Sequence, residues 1–185
     1  MDREKSRVIE TVKLVMPAVV SITISKDVKD LAKEMPEFFQ SAPAGRPELN
    51  IPPDKINAQG QVQVGGGSGF IVDETGIVLT NKHVIAEANA KYMITTNSDE
   101  TYDAEVLARD PINDVAILKI NPKNKLPVLK MGDSEKLELG QTVLAIGNAL
   151  GLFKNTVSAG IISGLSRAIS AQADIGAPYQ EMRGL

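Results

Sequence analysis

The chain has 185 residues, of which 43% are hydrophobic and 23% charged; its 20 bases and 23 acids leave a formal net charge of −3. This is globular composition, enough for one ordinary domain or two small ones, and its acidic balance argues against a nucleic-acid partner, which needs a basic surface. The absence of cysteine and the single histidine exclude disulfides, thiolate chemistry and any site built on two imidazoles, so no metal or other cofactor is expected.

No apolar run approaches the roughly 18–20 residues that span a bilayer. The opening Met-Asp-Arg-Glu-Lys-Ser-Arg lacks the apolar core of a signal peptide. The first element reads as a helix, with Val8, Ile9, Val12, Val15 and Met16 at three- and four-residue spacing and Pro17 after the last turn. A β-branched run over residues 18–25 reads as a strand. Residues 26–61 then hold five of the ten prolines, many charges and no sustained periodicity. A loop of this length inside a domain is either a mobile insertion or a functional element. Phe38 and Phe39 are two of the four phenylalanines in the chain and mark it as a candidate regulatory or subunit-contacting loop.

Short strands follow. Residues 70–72 and 77–80 flank Asp-Glu-Thr-Gly, a hairpin signal, and further strands are expected at 91–96, 101–109 and 115–120. Residues 121–127 read as a linker, 142–147 and 156–165 as strands, and 166–185 as a loop-like tail. Many short strands with few helices predict an all-β sandwich or barrel. The strands before Asn121 suffice to close one small barrel, while those after it are too few for a second.

His83 sits just after a strand in Leu-Thr-Asn-Lys-His-Val-Ile, and Asp114 lies 114 − 83 = 31 residues later, at the mouth of an apolar strand. A lone histidine is ordinarily a surface or core residue, and an aspartate before a strand is ordinarily a turn residue. The turn reading suits Asp110, which precedes Pro111, better than Asp114.

With these residues in view, the sequence resembles the HtrA/Deg family of trypsin-like serine endopeptidases. The matching segments are Val-Met-Pro-Ala-Val-Val-Ser-Ile, Gly-Ser-Gly-Phe-Ile-Val, Thr-Gly-Ile-Val-Leu-Thr-Asn-Lys-His-Val, Asn-Asp-Val-Ala-Ile-Leu-Lys-Ile, Gly-Asp-Ser, Ala-Ile-Gly-Asn and Gly-Ile-Ile-Ser. Each is weak alone, but they occur in the family's order and span nearly everything except residues 26–61.

The resemblance implies a chymotrypsin-like double β-barrel with a short N-terminal helix: residues 1–125 form the helix and a complete first barrel, and 126–185 an incomplete second one. It implies that His83 is a general base and Asp114 the carboxylate that orients it. It places residues 26–61 at the family's long regulatory loop, and residues 167–178 at a ligand-sensing loop in which Arg167 is the candidate relay. It further implies polypeptide substrates, a homo-oligomer (the family trimer, or association through the unfinished barrel) and an extracytoplasmic location.

The family's nucleophile lies in Gly-Asn-Ser-Gly-Gly, and these 185 residues contain no such segment. Ser68, in Gly-Gly-Gly-Ser-Gly, precedes His83, against the family order, and reads as part of a flexible glycine-rich entry to a strand. Those glycines also lack the Lys-Ser/Thr ending of a phosphate loop. The chain taken alone is therefore expected to be inactive as a peptidase. The competing reading is a non-catalytic polypeptide-binding or assembly module on the same fold.

Overall fold

In the computed structural model, residues 2–34, 55–87, 89–149, 153–165, 169–171 and 180–182 are described. Helix α1 (Asp2–Val15) occupies the stretch of helical spacing. Pro17 falls at the start of the 3-10 turn Met16–Ala18, where its missing N–H leaves no helical bond unmade. In strand β1 (Val19–Asp27), Val20, Ile22 and Ile24 are buried, alternating with half-exposed Ser21, Thr23 and Ser25, as a strand with one core-facing side requires.

Two findings modify the reading of residues 26–61. Strand β1 extends to Asp27, and helix α2 (Val28–Glu34) follows it. Seven residues are too few to display a helical period, so tertiary contact decides; the Val28 amide donates to the Gly60 carbonyl at 3.1 Å. Phe38 and Phe39 lie outside the described residues.

Strand β2 (Gln61–Asp73) is 13 residues long and pairs antiparallel with β1 from Val19↔Phe70 to Asp27↔Gln61. The glycines expected as a flexible entry are inside this strand. A side chain at Gly67 would place its Cβ 2.5 Å from a methyl of Val84, so close packing selects glycine at a position where strand propensity disfavours it. The predicted hairpin joins β2 to β3 (Ile77–Thr80). At its turn the Asp73 carboxylate accepts from the Thr75 amide at 2.8 Å. Gly76 adopts φ +97, and a Cβ there would strike the Ile120 carbonyl.

Strands β4 (Lys91–Thr95), β5 (Thr101–Arg109) and β6 (Ala116–Lys119) complete a closed six-stranded barrel in the order β1-β2-β3-β6-β5-β4. Every neighbouring pair is antiparallel. Ile22, Ile71, Ile94, Leu118 and Ile120 fill the interior with no exposed surface, each contributing about 1.5–3 kcal/mol by burial. Residues 121–127 are anchored rather than a free linker: Leu126 is buried in this core, and the Leu129 amide donates to the Ile71 carbonyl at 2.9 Å.

Strands β7 (Thr142–Ala149) and β8 (Phe153–Ile161) form a separate two-stranded sheet. Strand β7 lies against the barrel at Gly147, where an added Cβ would sit 3.0 Å from Ser68 Oγ. The tail expected to be loop-like contains a short antiparallel pair, β9 (Ile169–Ala171) and β10 (Gln180–Met182). Among the described residues no helix is long and apolar enough to cross a membrane.

Candidate active site

The strand order explains why His83 and Asp114 meet. Strands β3 and β4 are consecutive in sequence but separated in the ring by β6 and β5. Residues 81–90 must therefore cross the barrel end at which β5 turns into β6. The register Thr80↔Ala116 and Arg109↔Ala116 fixes that end. His83 lies on a 3-10 turn (Lys82–Ile85) in the crossing segment, whose Val84 and Ile85 are buried; Asp114 lies in the β5–β6 connection.

The Asp114 carboxylate grips the turn twice. One oxygen accepts from the His83 backbone N–H at 2.9 Å and the other meets His83 Nδ1 at 2.6 Å. An ionised carboxylate only accepts, so Nδ1 must carry the proton and a neutral ring keeps its lone pair on Nε2. The imidazole is 68% exposed and the carboxylate 23%, so the proton-accepting edge stands in solvent while its orienting partner is sheltered. Partial burial alone would push the Asp114 carboxyl up. The backbone and side-chain hydrogen bonds from His83 and its charge outweigh that, and the net shift is downward.

The connection bearing Asp114 is itself braced. The Asp110 carboxylate accepts from the amides of Ile112 and Asn113, each at 2.7 Å. The Asp110 amide donates to the Val115 carbonyl at 2.9 Å. The Asn113 and Ile112 amides, then the Asn113 side chain, hold the Asp110 carboxyl below its usual range. Asn81 Nδ2 donates to the Asp114 carbonyl at 3.0 Å, joining crossing segment to connection. A cavity of about 480 Å³ opens beside this junction, lined by Leu79, Asn81, Asp114, Val115, Leu144 and Ile146 among others.

The structure thus brings His83 and Asp114 together and supports the turn reading of Asp110. Arg167 lies outside the described residues, as do Phe38 and Phe39. Ser68 sits on β2 on the face opposite Gly67 and Gly69; Gly147 of β7 lies against its hydroxyl and its carbonyl accepts from Thr80 Oγ1 at 2.8 Å. Sequence reasoning missed Asn81, although Asn before a helical turn is a recognisable punctuation signal. It also missed Arg109, a strand-end arginine that nothing in sequence distinguishes from a solvated one. Among the described residues no group of His, Asp and Glu is arranged to hold a metal ion.

A closed antiparallel barrel with an imidazole held by a carboxylate at its rim is the architecture of a chymotrypsin-like fold. In agreement, the family profile described as "Trypsin-like peptidase domain" matches residues 67–182. The chain is similar to a "Probable periplasmic serine endoprotease DegP-like" of Brucella suis biovar 1, with 34% identity over 187 residues, covering 88% of this chain and 36% of the relative. It is 44% identical over 124 residues to a "Serine protease HtrA-like" of Staphylococcus haemolyticus, covering 65% of this chain and 19% of that protein. It is 43% identical over 140 residues to a "Putative serine protease HhoA" of Synechocystis, covering 75% and 32%. The chain belongs to the trypsin-like peptidases and, within them, to the HtrA/Deg family. It spans about a third or less of the length of these curated relatives.

Proposed function

We propose that this chain carries the base and the orienting acid of a serine endopeptidase that acts on unfolded or damaged polypeptides. His83 Nε2 takes the proton from a serine hydroxyl, which is a poor nucleophile until a positioned base removes it. The ring then returns the proton to the leaving amine, while Asp114 holds the ring by Nδ1 and stabilises the imidazolium. The observation that carries this reading is the double grip of one carboxylate on His83, at backbone and ring, 2.9 and 2.6 Å. On the same reading residues 1–125 form the first barrel unit and residues 126–185 part of a second, with 26–61 as the regulatory insertion. The relatives named periplasmic favour an extracytoplasmic site of action.

These 185 residues contain no Gly-Asn-Ser-Gly-Gly segment, and we propose that the chain by itself does not turn over peptide bonds. The test is a serine-directed fluorophosphonate probe. The chain alone is expected not to label, and specific labelling at Ser68 would overturn the assignment. A form of the protein that carries these residues together with a Gly-Asn-Ser-Gly-Gly segment is expected to label, and His83→Ala is expected to slow labelling by at least about 10³-fold. Failure of that longer form to label would favour the alternative, a polypeptide-binding module that retains the barrel without its chemistry, and labelling that ignores His83 would contradict its role as the base.

A further inference from the structure

The hydrogen bonds at the two ends of the turn that carries His83, Val84 N to Asn81 O at 3.2 Å and Ala86 N to His83 O at 3.4 Å, are long, and short 3-10 turns have poor hydrogen-bond geometry in any case. Side chains from outside the turn therefore add to its orientation. Asp114 holds the N-terminal side of the turn. On the C-terminal side, Arg109 Nε and Nη2 both donate to the Ile85 carbonyl, at 3.3 and 3.0 Å. A carbonyl at the end of a helical turn has no partner within the turn, and a cation there also meets the negative end of its dipole.

Arg109 ends β5 and Asp114 precedes β6, so both grips arise from one connection, which Asp110 braces internally. The turn is therefore clamped at both ends by a single rigid body. At the start of the turn, Asn81 Nδ2 donates to the Asp114 carbonyl at 3.0 Å and Lys82 Nζ to the Pro111 carbonyl at 3.4 Å, so these side chains tie to the same connection. Two residues beyond Ile85, Tyr92 OH donates to the Glu87 carbonyl at 2.9 Å and buried Lys26 pairs with the Glu87 carboxylate at 2.6 Å; Tyr92 also meets the Arg109 side chain.

We propose that Arg109 is a positioning residue for His83: its two hydrogen bonds to the Ile85 carbonyl keep the turn seated so that the imidazole stays in register with the Asp114 carboxylate. This rests on the reading of His83 and Asp114 as base and orienter. Without the clamp, the C-terminal end of the turn is free to rotate about the Asp114 contact, and the ring contact lengthens before the buried Val84 and Ile85 are disturbed.

The chain has one histidine, so its ring N–H resonance is unambiguous, and its exchange with water reports the His83–Asp114 contact without any need for turnover. Arg109→Met, which keeps much of the side-chain length and loses both donors, is expected to speed Nδ1–H exchange by roughly fivefold, the scale of one net hydrogen bond. Arg109→Lys, with one flexible donor, is expected to fall between, and it carries the test if the Met variant does not fold. Lys26→Met is the comparison: it removes the ion pair to Glu87 and lowers the melting temperature but is expected to leave the ring proton unchanged. Unaltered exchange in the Arg109 variants, or an equal effect from Lys26→Met, would overturn the proposal. Asp114→Asn separates the two levels, because a protected Nδ1–H that survives it defeats the base–orienter reading itself.

Discussion

Strand β1 of the barrel begins Val-Val-Ser-Ile-Thr-Ile and strand β7 begins Thr-Val-Leu-Ala-Ile-Gly, two runs of similar apolar character. Val20 and Ile22 lose all exposure, whereas Leu144 and Ile146 remain half-buried and Ile161, on the partner strand of β7, is 60% exposed. The difference is closure. In the ring each strand has a neighbour on both sides and a filled interior, while a two-stranded ribbon has neither and is marginal in water. Stability and the geometry of the His83–Asp114 pair therefore belong to the barrel, and the β7–β8 sheet supplies a wall of the adjoining cavity.

The largest expected contrast is in core truncation. Ile71→Ala or Leu118→Ala is expected to cost about 2–5 kcal/mol by urea denaturation, whereas Ile161→Ala is expected to stay within about 0.5 kcal/mol. Equal losses would erase the distinction between the regions. Next come the glycines: Gly67→Ala forces a Cβ against Val84 beneath the His83 turn and is expected to cost about 1–3 kcal/mol. Gly160→Ala on β8 meets nothing within 4 Å and is expected to be tolerated.

A smaller effect concerns pH. Asp114 and Asp110 are held below the usual value of 3.8. The stability each contributes is therefore fully present above that value and is lost as pH falls through the lower, folded-state value. The melting temperature of the wild type is expected to drop below about pH 4, and its advantage over Asp114→Asn to shrink there. A gap that stays constant from neutral pH to about pH 2 would contradict the double grip.

The subtlest expectation is association. Exposed Val157, Ile161 and Leu165 and the edges of the β7–β8 sheet, which pair with no further strand among the described residues, favour pairing with another copy. Sedimentation is expected to show concentration-dependent self-association that Ile161→Lys weakens. A strict monomer with protected β7–β8 amides would contradict this.

Much of the barrel was legible because strand alternation, the Asp-Glu-Thr-Gly turn and the β-branched runs are local signals. The full length of β2 was hidden, because glycines read as loop until Val84 is seen against Gly67. Helix α2 was hidden by its shortness, and the burial of Leu126 by the absence of any periodic neighbour. Within the site, His83 and Asp114 were marked by the order of family segments rather than by their own spacing. Arg109 had no signal, since its role depends on a carbonyl 24 residues away in sequence. Phe38 and Phe39, marked by the loop that holds them, and Arg167, marked by the resemblance, lie outside the described residues.

The most direct test of the central claim is the tautomer of the single imidazole, read by nitrogen–proton correlation spectroscopy of the chain under conditions where the ring is neutral. The wild-type ring is expected to be protonated at Nδ1 with a free Nε2 lone pair, and Asp114→Asn is expected to change the tautomer or give a mixture. A neutral ring protonated at Nε2 in the wild type, or a spectrum indifferent to Asp114→Asn, would contradict the claim.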